Sequence, residues 1–180
     1  MLRRLGLVVS LLSLSACWSG LPFFTPADAV PTIPDGLYRM AETDAGATEG
    51  ETIRISRQPD NSLRVEGGDH PMRALTVPLD SSRPDLFILQ LQKLNPADAD
   101  RAPKAMYMLL DMTGHTPRIG ILPCDGETGA LVTRQGGSVA RDPQSAASCT
   151  FPSRALLHQQ MRAVAGHPLH DRIILMKVSD

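Results

Sequence analysis

The chain of 180 residues carries a net charge of −1 and is 42% hydrophobic, a length and balance that suit one globular domain with a single core. No block of Lys or Arg occurs, which excludes the clustered cations of a nucleic-acid surface. Aromatic residues make up 4%, too few for a platform that stacks bases or sugars.

Arg3 and Arg4 precede a charge-free run from Leu5 to Ala16, suited to the core of an export signal and short of the ~20 residues that span a bilayer as a helix. The residues around Arg3-Arg4 lack most of a twin-arginine pattern, so the general secretory route is expected. The run ends in Leu14-Ser15-Ala16-Cys17, which resembles the lipobox of bacterial lipoproteins: a Leu, two small residues and a Cys. The resemblance implies that residues 1–16 are a signal peptide and that Cys17 is the lipid attachment site. It places the protein in the bacterial cell envelope, lipid-anchored and facing the periplasm. Trp18 stands where certain lipoproteins carry an Asp that retains them in the inner membrane, so outer-membrane sorting is implied. The other reading is an ordinary signal cleaved after Ala16, which leaves Cys17 a free thiol. Cys17, Cys124 and Cys149 are an odd number; lipidation of Cys17 leaves an even pair for one disulfide.

Residues 17–34 carry Pro22, Pro26, Pro31 and Pro34 among small residues, a spacing that prevents a helix and discourages a central strand. We read them as a Pro-rich tether, able at about 3.1 Å per residue to hold a domain up to ~50 Å from the membrane. Trp18, Phe23 and Phe24 are then suited to the lipid interface, the alternative being that Phe23 and Phe24 pack on the domain.

A single β-rich domain is expected over residues 35–180. Asp35-Gly36 is a turn signal before a short extended run. Ile53 and Ile55 alternate with Arg54 and Ser56, Pro59-Asp60-Asn61 supplies a turn, and Leu63 and Val65 alternate with Arg64 and Glu66: a hairpin with one wet face. Met72 to Val77 adds a strand. Leu86 to Leu94, with Phe87, Leu89 and Leu91 on one face, and Ala105 to Leu110 are more apolar and should be central. Arg118 to Leu122 is another strand, and residues 125–148 read as a long loop or a poorly formed hairpin. A helix follows, capped by Thr150 or Ser153, with Leu157, Met161 and Val164 at i, i+4 and i+7; Gly166 and Pro168 end it before a closing strand from Arg172 to Val178. The fold class is mainly β (α+β): an antiparallel meander forming a small barrel or curved sheet, with one C-terminal helix over a face or mouth and a closing strand.

The common catalytic signatures are absent: no Gly-x-Ser-x-Gly, Ser-x-x-Lys, His-Glu-x-x-His, Gly-x-Gly-x-x-Gly or Gly-Lys-Ser/Thr occurs. Cys124 and Cys149 lack a Cys-x-x-Cys spacing, and a structural disulfide between them is expected. His167, His170 and Asp171 form the one constellation a metal could use, but the only further imidazoles, His70, His115 and His158, are scattered, and no metal or cofactor is expected. Asp69-His70 and Asp111 with His115 have no serine or third group tied to them by spacing. Glu42, Asp44, Glu49 and Glu51 lack the alternating spacing of a calcium loop and read as a solvated hairpin. Met40, Met72, Met106, Met108, Met112, Met161 and Met176 suit either an adaptable pocket or core filling.

The function expected is that of a non-catalytic, lipid-anchored envelope protein that binds another envelope protein. The alternative is a carrier or sensor of a small apolar ligand. Pro34-Asp35-Gly36-Leu37-Tyr38 is faintly similar to the Gly-x-Trp start of lipocalin-like barrels, with Tyr in place of Trp.

Overall fold

The computed structural model describes residues 18–42, 50–68, 70–94, 104–114, 116–122, 124, 126–140, 147–166 and 172–179. In chain order the elements are β1 (Trp18–Gly20), a 3-10 turn (Pro26–Asp28), β2 (Gly36–Glu42), β3 (Thr52–Arg57), β4 (Leu63–Glu66), β5 (Met72–Asp80) and β6 (Arg83–Lys93). Then come β7 (Ala105–Asp111), β8 (Arg118–Gly120), α1 (Gly126–Arg134), β9 (Ser138–Ala140), β10 (Ser148–Phe151), α2 (Arg154–Val164) and β11 (Arg172–Ser179).

The expected meander closes into a barrel. Strands β2 to β8 pair antiparallel in sequence order, and β11 completes the ring by pairing with β8 on one side and β2 on the other, making eight strands. Closure leaves the ring without an edge to protect. The period of two sorts the side chains. Ile53 and Ile55 are buried while Thr52 and Arg54 are exposed, and the pairs Phe87↔Leu110, Leu89↔Met108 and Leu91↔Met106 share the inner face. Inside, Tyr38, Ile55, Leu63, Phe87, Leu89, Met108, Leu110 and Leu175 form one core.

The outer faces of β5, β6 and β7 carry a second core. Leu75, Val77, Ile88, Tyr107 and Leu109 point away from the barrel and are covered by Trp18, Phe24, Val132, Phe151, Leu157 and Met161. This explains why β5 to β7 read as continuous apolar runs: they are buried on both faces. Helix α2 lies on this outer layer against β5, not over a mouth. The Ser153 side chain caps it, accepting from Leu156 N–H at 3.3 Å.

A side sheet branches from β7. Leu109 to Asp111 pair with β8, but Ala105 to Tyr107 pair with β1, which is joined in parallel to β10 and through it to β9. Here the structure corrects the reading of residues 17–34 as a tether. Trp18 has no exposed surface and sits at 4.8 Å centroid distance from Phe151, and Phe24 is 3% exposed. From β1 the segment crosses the outside of β7 and β6. Val30 donates to Thr76 O at 2.8 Å, and Ile33 enters the inner core at 2% exposure. The prolines stop it from becoming a helix, as the sequence implies, but an extended segment with large apolar side chains is also what a barrel wall can bind.

Residues 125–148 are corrected as well. They hold α1 and β9 where a loop or poor hairpin was expected. Val132 is the one large side chain of α1 that is fully buried, so its apolar stripe is too thin to read. Gly137 is needed where the chain turns back: a Cβ there would meet Thr150 O at 2.6 Å and Val132 Cγ1 at 2.5 Å.

Candidate functional site

Among the described residues, the candidate titratable side chains do not converge. Among the described residues no three of His, Cys, Asp and Glu stand together as metal ligands. His70 is exposed between β4 and β5, and Asp111 accepts from Thr113 N–H at 2.8 Å in a turn. Glu51 is half-buried next to β3. Asp69, His115, His167, His170, Asp171, Asp44, Glu49, Cys17 and the Glu42 side chain lie outside the described residues. Cys124 and Cys149 are joined, with Cα atoms 5.4 Å apart, and tie the exit of β8 to β10.

What the barrel offers is decided by strand register. At one end, where β2 passes to β3, β4 to β5 and β6 to β7, the outermost inward-facing apolar side chains are Met40, Val65, Met72, Leu91 and Met106, with Ile173 from the start of β11. All six are half-buried. One step deeper, Ile53, Ala74, Leu89, Met108 and Leu175 are buried. The opposite end is stopped: Ile33 plugs it, the Tyr38 hydroxyl donates to Pro34 O at 2.8 Å, and Arg57 N–H donates to Asp35 Oδ1 at 2.7 Å. Among the described residues, Ile33 stops one end, and these six half-buried apolar side chains rim the other. Three methionines at the mouth supply flexible, polarizable side chains that adapt to an occupant, whereas Met108 and Met161 are core.

No family model, curated protein or solved structure matches this chain. An eight-stranded barrel has room inside for side chains or for one small ligand, so the architecture is compatible with a lipocalin-like carrier.

Two polar residues escaped the sequence reading and hold the N-terminal segment on the barrel. Gln90, fully buried on the outer face of β6, accepts from Phe24 N–H at 3.0 Å and donates through Nε2 to Phe24 O at 3.1 Å. The Tyr107 hydroxyl accepts from Phe23 N–H at 3.0 Å and donates to Leu21 O. Burial pushes the Tyr107 phenol up to about 12, so it keeps its proton at any ordinary pH and remains a donor. The only sequence signal was a Gln and a Tyr inside apolar runs.

Around the same segment α2 contributes charge. Arg154 lies 4.6 Å from the Phe24 ring centroid and pairs with Asp28 at 3.0 Å. His158 stands edge-on to Phe24 at 6.2 Å, and its pKa is lowered by burial first, then by Arg162 and Arg154, with Asp80 opposing. The folded chain thus prefers neutral His158. Its contribution to stability is complete above the ordinary imidazole value of about 6.5 and is lost as pH falls from there through the lowered folded value. Melts at pH 7 and pH 5 are expected to show this loss, and His158→Gln is expected to reduce the difference between the two temperatures. An unchanged difference would assign the acid sensitivity to other groups.

Proposed function

We propose that this is a lipid-anchored protein of the bacterial cell envelope, without catalytic chemistry, whose barrel holds a small apolar ligand at its mouth. The observation that carries the ligand reading is the ring of Met40, Val65, Met72, Leu91, Met106 and Ile173, half-buried at one end of a barrel stopped at the other. Apolar pockets with adaptable linings are the usual form of small-molecule sites. The anchor rests on Leu14-Ser15-Ala16-Cys17, and the pairing of Cys124 with Cys149 leaves Cys17 for the lipid. Outer-membrane sorting follows from Trp18 at the next position. The proposed attachment is the lipid on Cys17; no helix of the described residues is long and apolar enough to cross a membrane.

The test uses residues 17–180 with Cys17→Ser, which removes the anchor, and a fluorescent polyunsaturated fatty acid as probe. Saturable binding is expected. Met106→Glu places a charge in the ring and should weaken binding about tenfold or more, since an unpaired charge is costly in an apolar site. Val178→Glu, near the closed end, should leave binding unchanged. Wild-type affinity in Met106→Glu would remove the mouth from the proposal.

A protein partner in the envelope is the second reading, and β9 favours it. It ends the side sheet with one edge unpaired among the described strands, and an extended peptide can add to such an edge. Crosslinking from Ser138 in cells would capture that partner.

A further inference from the structure

We propose that the barrel lies on its side on the membrane that holds Cys17, with the outer wall made by β8, β11, β2 and β3 docked on anionic phospholipid headgroups. This rests on the lipid anchor proposed above and not on the ligand reading. The two halves of the barrel differ in what covers them. The outer faces of β5, β6 and β7 lie under the second core, with α2 packed on β5. In the ring of eight strands β11 stands opposite β5, so the wall around β11 is the one farthest from that layer.

Register decides which side chains this wall presents. Tyr38, Ile53, Ile55, Ile119 and Leu175 belong to the inner core, so the residues that alternate with them face outwards. Across the strands these place Arg118 beside Ile174, Met176 beside Arg39 and Leu37 beside Arg54. Leu37, Ile174 and Met176 are half-buried and belong to neither core. Among the described residues no carboxylate pairs with Arg39, Arg54 or Arg118, whereas Arg64, Arg73, Arg154 and Arg162 each have one. The described residues of these four strands also turn no acidic side chain outwards.

Cations set among apolar side chains suit a surface of anionic headgroups, which meets the guanidinium charge while the stems and apolar groups rest at the interface. A second copy of the chain is a poorer occupant, because a symmetric contact would set these three arginines against the same three.

The anchor leaves the fold beside this wall. Strands β1 and β8 lie on the same edge of β7, with Trp18 paired to Tyr107 and Gly120 to Leu109. Two residues along a strand span about 7 Å and one peptide unit ~3.8 Å, so Cys17 is within about 11 Å of Gly120, at the end of β8. Trp18 has no exposed surface, so no tether lifts the barrel away. An attachment level with the middle of β7 suits a barrel lying along the surface better than one standing on an end.

The experiment uses the full lipidated protein in vesicles of phosphatidylethanolamine and phosphatidylglycerol that contain a radiolabelled phospholipid. A photocrosslinking amino acid replaces either Met176, on the proposed wall, or Gln159, exposed on α2 at the opposite side. Label should attach from position 176 at least about five-fold more than from position 159. Arg39→Gln, Arg54→Gln and Arg118→Gln together should lower the yield from position 176 at least about two-fold, since each Arg close to an anionic surface adds to the attraction. Equal yields from the two positions, more label from position 159, or a yield from position 176 that the three substitutions leave unchanged would overturn the docking. Crosslinking from position 176 in cells to an acidic protein instead of lipid would overturn it in favour of a protein partner. Mass spectrometry of the same samples reads the lipid on Cys17: its absence would overturn the anchor and this inference with it, whereas equal yields from lipidated protein would overturn the docking alone.

Discussion

A chain that begins at Asp35 is expected to lose its cooperative melt. The truncation removes Trp18, Phe24 and Ile33, which are 0%, 3% and 2% exposed and belong to both cores. Truncating one buried aromatic to Ala costs about 3–5 kcal/mol, so deleting two, together with a buried Ile, approaches the whole stability of ~5–15 kcal/mol typical of a domain. The loss also takes partners from buried polar groups, leaving Gln90 and Tyr107 mainly with each other. Gln90 would be stripped of both hydrogen bonds to Phe24, and Tyr107 of its bonds to Phe23 and Leu21. Far-ultraviolet circular dichroism through a thermal scan measures the outcome. A cooperative transition within a few degrees of that of the chain starting at residue 17 would show that residues 18–34 are ornament.

Why the sequence led to a tether is a matter of which patterns carry information. The antiparallel meander was legible, though not whether it closes, because its elements obey local rules: Ile53 and Ile55 alternate with exposed residues, Pro59-Asp60-Asn61 turns the chain with Asn61 at φ 66°, and Leu157 and Met161 keep helical spacing. Closure is settled by β11 pairing with both β2 and β8, contacts between segments far apart in sequence. Residues 18–34 follow no period because their regular structure is only the three-residue β1 and one 3-10 turn. Their placement is dictated by partners distant in sequence: Phe151 for the buried Trp18, Gln90 for the buried Phe24 and the Thr76 carbonyl for the Val30 backbone. The mouth was half legible. The methionines were noticed, but only register brings Met40, Met72 and Met106 to one end, and a shift of one residue would have turned them outwards.

Replacing Cys124 and Cys149 together by Ala is expected to lower stability by about 3.5 kcal/mol in the chain-entropy account of a loop of roughly 26 residues. For a chain of this length that corresponds to a fall of about 7–14 °C in melting temperature. The bond joins two buried positions, 2% and 0% exposed, and connects the exit of β8 to β10. What it holds is the side sheet. Strand β9 is only three residues long, and β10 meets the barrel through β1, whose three residues include Trp18↔Cys149. The segment between the two cysteines offers little in return, since α1 buries fully only Gly129 and Val132. The bond and the Trp18 cluster therefore hold the same strand, and their losses should not add. Trp18→Ala in the chain without the disulfide is expected to cost more than the two single effects summed, because each alone still fixes β10. Melts of wild type, the double alanine chain, Trp18→Ala and the triple variant form the cycle. A disulfide-free chain melting at the wild-type temperature would show that β10 is held without the bond, and simple additivity would show that the bond and Trp18 act on different parts of the fold.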